Sequence, residues 1–345
     1  MNIIKLLIIN TFTILLLGCG DMDRKKERLF EIQLERREFK QQETINISVK
    51  NSKNKAISKV IYAIDGVDLP VSNNQIVLDV ARLGNKDLHA KVFYDDTVAD
   101  VTTSIRILAQ NPPEIFTYEI VNEFPHDIKA YTQGLEFHDG VLFESTGHKG
   151  RSSLRKVDFK TGKVLQQIDL DNTYFGEGLT ILNGKIYQLT WQSHVGFVYD
   201  LKNFEKINNF QYGKSKEGWG LANDGKKLFK SDGTEKIWLL DPETLIEQDY
   251  FETVTNKSVF NKANELEYVA GKLYANVYQK ESMMIIDANS GAIEGVINFG
   301  GLKDLVTQHE ALDVLNGVAY HPERKTFFVT GKNWDKMFEV NIKKK

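Results

Sequence analysis

The sequence predicts an all-β protein, a five-bladed β-propeller preceded by a small Ig-like β-sandwich. Three observations carry that expectation. A tripeptide motif recurs five times, at intervals of 44, 42, 45 and 52 residues, and each copy opens a unit of short β-rich runs. The last unit is one strand short, and a spare strand, TYEIVNEF at 117–124, lies before the first. Upstream, residues 29–110 hold a separate series of short runs broken by Asn, Asp and Gly.

Composition sets the bounds. A chain of 345 residues holds two domains or one large one, and 41% hydrophobic with 11% aromatic residues is enough for packed cores. The 44 Lys and Arg nearly balance the 47 Asp and Glu, so no basic footprint marks a nucleic-acid binder. The single cysteine allows no internal disulfide and excludes zinc sites built on two or more thiolates.

That cysteine ends the opening segment MNIIKLLIINTFTILLLGCG. Lys5, an apolar run and Leu16-Leu17-Gly18 have the layout of a secretory signal, residues 1–18. Cys19 directly after the small residue resembles a bacterial lipobox, in which the cysteine becomes the lipidated first residue; Leu17 is bulkier than usual at its position. A plain signal or anchor helix with an incidental cysteine is the alternative. The expectation is a lipoprotein of the bacterial cell envelope, tethered to the membrane through Cys19 and a charged stretch over 19–28.

Residues 29–110 follow, with runs such as TINISVK, SKVIYAID, HAKVFYD and DVTTSIRILA. Nothing in them clusters chemically, and His89 reads as a surface residue. Asn111-Pro112-Pro113 punctuates the chain, because paired prolines favour extended backbone, and the propeller is placed at 114–345.

Within 114–345 the units open at Gln133-Gly134-Leu135, Glu177-Gly178-Leu179, Trp219-Gly220-Leu221, Asn264-Glu265-Leu266 and Asn316-Gly317-Val318. A polar turn follows each, then two further strands, and in the first four units a fourth. The spare strand 117–124 supplies the strand missing from the last blade and closes the ring, so that no sheet edge is left open there. A generic two-sheet protein does not explain a missing strand and a spare one together.

In a propeller the inner strands line a central channel, and equivalent positions face one another. The first ring is Gln133, Glu177, Trp219, Asn264 and Asn316; a second, 13 to 16 residues on, is Thr146, Trp191, Asp232, Tyr278 and Lys332. Symmetry alone favours like residues at like positions. A carboxylate, amides, three large aromatics and a lysine instead point to a site at one mouth of the channel. Singly, each has a structural reading: Glu177 and Lys332 as an ion pair, Trp191 and Trp219 as interblade packing, Asn264 as a turn cap. The histidines show no ligand spacing, Gln308-His309-Glu310 being the nearest to a cluster, and no metal or other cofactor is expected.

The runs FESTGHKGRSSLRKVD, YFGEGLTILNGKIYQLTW, EGWGLANDGKKLFKSDGT, NELEYVAGKLYANVY and DVLNGVAYHPERKTFFVTGKNW are similar to the plant- and bacterial-type glutaminyl cyclases, over about residues 116–343. The resemblance implies a five-bladed propeller that converts amino-terminal glutamine of peptides and proteins to pyroglutamate with loss of ammonia. It places the catalytic glutamate on Glu177, with Asn264 and Lys332 as its polar partners. Tyr131, Gln133, Phe175, Trp191, Trp219 and Tyr278 are then the substrate-binding residues. One departure is Tyr278, where the plant-type pattern has tryptophan.

On this reading the aromatic box curls the substrate so that its amine meets its own side-chain amide. Glu177, its pKa raised among aromatics, takes a proton from the amine and gives it to the departing ammonia. Lys332 and Asn264 stabilise the oxyanion. The enzyme is expected to be a metal-independent monomer. Two rivals remain: a non-catalytic surface propeller that binds peptide or glycan, and a propeller lactonase, for which the carboxylates at the mouth are few.

Overall fold

A computed structural model describes residues 28–345. The signal-like segment and Cys19 lie outside the described residues, as does all but the last residue of the 19–28 tether.

Residues 30–108 form strands only. A five-stranded sheet runs in the order Glu38–Lys40, Thr97–Leu108, Gly84–Tyr94, Ile57–Ile64, Val67–Leu69. Phe30–Gln33 pairs with Ser48–Asn51, and Thr44–Asn46 with Gln75–Val77. Alternation is clearest on Gly84–Tyr94, where Leu88, Ala90 and Val92 point inward between exposed neighbours, as period-two side chains must. These residues share one core with Ile76, Leu78, Ile105 and Ile107.

The rest is the five-bladed propeller. Blades 1 and 2 are Thr132–His138, Val141–Thr146, Ser153–Asp158, Lys163–Asp169 and Gly176–Leu182, Lys185–Thr190, Val195–Asp200, Lys206–Gln211. Blade 3 is Leu221–Asn223, Leu228–Ser231, Lys236–Leu240, Glu247–Glu252, and blade 4 is Ala263–Val269, Lys272–Val277, Ser282–Asp287, Ile293–Asn298. Blade 5 has three strands of its own, Leu315–His321, Thr326–Gly331 and Lys336–Lys344. Its fourth is Glu114–Pro125, which runs antiparallel to Lys336–Lys344 from Phe116↔Lys344 to Pro125↔Lys336. The spare strand therefore closes the ring as expected. It also does more: its first residues pair in parallel with Ile293–Asn298, joining blades 4 and 5 into one eight-stranded sheet.

The upstream strands are not simply strung on a linker. The backbone N–H of Leu83 donates to Ser290 O at 3.0 Å and that of Ala109 to Thr255 O at 3.1 Å. Glu252 at the end of blade 3 accepts from both the backbone and the side-chain amide of Asn85, each at 2.9 Å. Val254, Val259 and Ala292 from the propeller side pack into the upstream core.

The x-Gly-Leu repeat has a physical cause. At Gln133, Glu177-Gly178, Asn264-Glu265 and Asn316-Gly317 the inner strand slips register against its neighbour, a β-bulge that re-aims side chains. Neighbouring inner strands nearly touch there: Gly178 N donates to Trp219 O at 2.7 Å, and a Cβ on Gly178 would lie 2.6 Å from that oxygen. Only glycine permits that approach. Where blade 4 has Glu265 instead, its buried carboxylate accepts from Leu135 N and Val318 N.

Candidate active site

The bulges turn the first-ring side chains towards one mouth of the channel, and the ends of the second strands bring the second ring to meet them. The cavity formed there has a volume of about 410 Å³. It is lined by all nine of the expected residues that fall within the propeller: Glu177, Asn264, Lys332, Gln133, Tyr131, Phe175, Trp191, Trp219 and Tyr278. The three remaining ring positions do not reach it. Thr146 bonds Ser153, Asp232 accepts from Trp238 Nε1, and Asn316 lies wholly buried beneath the cavity floor.

Glu177 is 4% exposed, and its Oε1 accepts one hydrogen bond, from Gln133 Nε2 at 2.8 Å. Burial pushes its pKa well above the ordinary carboxylate range, and the nearby Glu217 adds to the rise; Lys332 and the Gln133 bond oppose it. Lys332 is 3% exposed, and its ammonium makes no hydrogen bond or ion pair among the described residues, so it is not the structural partner of Glu177. Its ammonium lies 4.7 Å from the Tyr131 ring centre and 5.8 Å from that of Tyr278. Burial lowers its pKa, against the pull of Glu177 and Asp313. Asn264 donates from Nδ2 to Asn316 Oδ1 at 3.0 Å.

Aromatic rings form the walls edge to face. Phe175 meets Trp191 at 5.6 Å between centres, and Trp219 meets Tyr278 at 5.2 Å. Tyr131 packs against Phe175 and His148, and its hydroxyl donates to Asp313 at 2.8 Å. The Gln308-His309-Glu310 run takes no part: His309 Nε2 bonds the Asn333 carbonyl.

One lining residue escaped the sequence reading. Glu217 Oε2 accepts from both indoles, Trp191 Nε1 at 2.6 Å and Trp219 Nε1 at 2.7 Å, while Oε1 accepts from Gln192 at 3.0 Å. It lies on the connection between blades, two residues outside the repeat register; the carboxylate directly before Gly-Trp-Gly-Leu was the available signal. Charge-assisted bonds of this kind are worth ~1.5–3 kcal/mol each. Glu217→Gln keeps one oxygen for the two indoles but removes the charge that strengthens both bonds, and sets an amide nitrogen where Oε1 accepted from Gln192. We expect KM for a Gln-initiated peptide to rise at least ~10-fold, with a shift in tryptophan emission. Unchanged KM and emission would show that the indoles need no such tether.

A family described as glutamine cyclotransferase matches residues 93–342, beginning within the strand Gly84–Tyr94 and so upstream of the 116–343 span read from the motifs. A glutaminyl-peptide cyclotransferase of Arabidopsis thaliana is 44% identical over 228 residues, covering 65% of this chain and 71% of that protein. Among solved structures, the glutaminyl cyclase of Myxococcus xanthus aligns with a TM-score of 0.63 and 32% identity, over 68% of this chain and 99% of that one.

Proposed function

Because the chain belongs to the glutamine cyclotransferase family and is a glutaminyl-peptide cyclotransferase, we propose that the propeller cavity cyclises amino-terminal glutamine with Glu177 as proton shuttle. The α-amine nitrogen attacks the side-chain amide carbon and closes a five-membered ring. The amine proton passes through Glu177 to the amide nitrogen, which leaves as ammonia. The aromatic walls hold the two ends of one residue together, which removes much of the entropic cost. Lys332, whose ammonium has no ion pair among the described residues, balances the negative charge that develops on the carbonyl oxygen. The observation that carries this reading is a buried, singly bonded carboxylate that shares an aromatic cavity with an ammonium free of ion pairs among the described residues.

We propose that the reaction needs no metal. Among the described residues, no three His, Cys, Asp or Glu side chains are grouped to hold an ion. Ammonia release from a Gln-initiated dipeptide, measured with and without EDTA and 1,10-phenanthroline, tests both points. The expected result is ammonia and pyroglutamate in equal amounts, undiminished by either chelator. A folded protein that releases none would be a peptide-binding propeller, and inhibition reversed by zinc would contradict the metal-free mechanism. The lipobox-like Leu16-Leu17-Gly18-Cys19 supports a lipid-anchored enzyme acting on peptides in the cell envelope, and we propose that it acts as a monomer.

A further inference from the structure

Beneath the cavity three side-chain amides are bonded in series, and their direction is fixed by a group that cannot turn. Asn316 Nδ2 donates to the backbone oxygen of Thr132 at 2.9 Å. A backbone carbonyl only accepts, so the nitrogen of Asn316 must face it. The same Nδ2 donates to Gln133 Oε1 at 3.1 Å, which leaves Gln133 Nε2 to face Glu177. On the other side, Asn316 presents Oδ1, so Asn264 must turn Nδ2 towards it, at 3.0 Å. The side-chain oxygen of Asn264, Oδ1, is then left over. It accepts no hydrogen bond among the described residues, and Asn264 lines the cavity. The sequence-based expectation pairs Asn264 with Lys332 as oxyanion donors; Asn264 keeps its second N–H for that, and its free Oδ1 adds an acceptor beside it.

We infer that Asn316 is a positioning residue that locks Gln133 and Asn264 in one sense, so that Asn264 Oδ1 accepts an N–H from the amine or side-chain amide of the substrate's first residue. The inference rests on the cyclase reading of the cavity. It also assigns a use to the one first-ring residue that reaches neither substrate nor solvent: Asn316 is 0% exposed and lines no part of the cavity. An acceptor there complements Glu177 and Lys332. The carboxylate handles the moving proton, the ammonium meets the oxygen, and Asn264 holds an N–H in place while the ring closes.

Three tripeptides that do not cyclise, each ending in Ala-Ala, test this as competitive inhibitors of ammonia release. One begins with norleucine (amine, no side-chain amide), one with a glutaramoyl group (amide, no amine) and one with hexanoyl (neither). They are compared on the full protein and on Asn316→Ala, with Asn316→Ser, which removes less volume, as the second variant. The expected result is a rise in Ki of roughly threefold to tenfold, the worth of one hydrogen bond, for the norleucine or the glutaramoyl peptide or both, with hexanoyl unchanged. Which one weakens identifies the N–H that Asn264 holds. Equal weakening of all three, or no weakening of any, would reduce Asn316 to a packing role and overturn the inference. If the unaltered protein releases no ammonia, the cyclase reading itself fails before any variant is compared.

Discussion

Glu177→Gln is expected to slow ammonia release by at least ~100-fold while leaving the protein folded and no less heat-stable, as loss of an acid–base group at a buried site should. Glutamine keeps the shape and an oxygen for Gln133 Nε2, so the hydrogen bond at 2.8 Å has a successor. What it loses is the ability to accept a proton. The stability half follows from linkage. The folded-state pKa of Glu177 lies above its unfolded value, so the native state binds the extra proton and stability falls as pH rises from the ordinary carboxylate range through the folded pKa. Glutamine removes that loss. Thermal melting at neutral pH should therefore show an equal or higher Tm. Near-normal turnover by the folded variant would take Glu177 out of the mechanism, and a large drop in Tm would mean that its carboxylate is structural.

Removing residues 1–126 is expected to destroy the fold, whereas a chain of residues 114–345 is expected to keep turnover at lower stability. The strand Glu114–Pro125 is hydrogen-bonded along Lys336–Lys344, and without it blade 5 has three strands and an open edge. Phe116, Tyr118 and Ile120 belong to the blade 5 core, and Phe124 stacks on Phe328 at 5.6 Å. Four half-buried side chains at about half of ~1.5–3 kcal/mol each amount to on the order of 5 kcal/mol, comparable with the whole stability of a typical domain. Residues 28–113 line no part of the cavity, so their loss should spare catalysis. It would, however, uncover Val254 and Val259 and leave Glu252 without its donors from Asn85. Soluble yield, Tm and turnover of the two truncated chains check this. A 127–345 chain as stable and active as 114–345 would refute the closure. An inactive but folded 114–345 chain would mean that the upstream strands help to shape the site.

The parts of this site that could be read from sequence were those that repetition makes visible. Five copies of one motif reveal which residues share a radial position, and departures from likeness among them, such as Glu177 against Gln133 or Lys332 against Thr146, mark the chemistry. Glu217 was hidden because it sits on a connection between blades, where no register exists to compare. The docking of Glu252 on Asn85 was equally hidden, since a contact between residues 167 positions apart leaves no local pattern. The sense of the Asn264 amide was beyond sequence altogether. It depends on Asn316 meeting a backbone oxygen of Thr132, 184 positions away in the chain.

The central claim is that Glu177 carries the proton, and its most direct test is the pH dependence of kcat/KM in the unaltered protein, Lys332→Met and Glu217→Gln. The carboxylate must be ionised to accept a proton, so activity falls as pH drops through its raised pKa, an acid limb above the ordinary carboxylate range. The substrate amine titrates nearby, but it is the same in all three proteins. Lys332 favours the charged carboxylate and Glu217 disfavours it. The account predicts that the acid limb moves to higher pH in Lys332→Met and to lower pH in Glu217→Gln. A limb that stays at one pH in all three would show that it reports the substrate amine alone, and would contradict Glu177 as the proton shuttle.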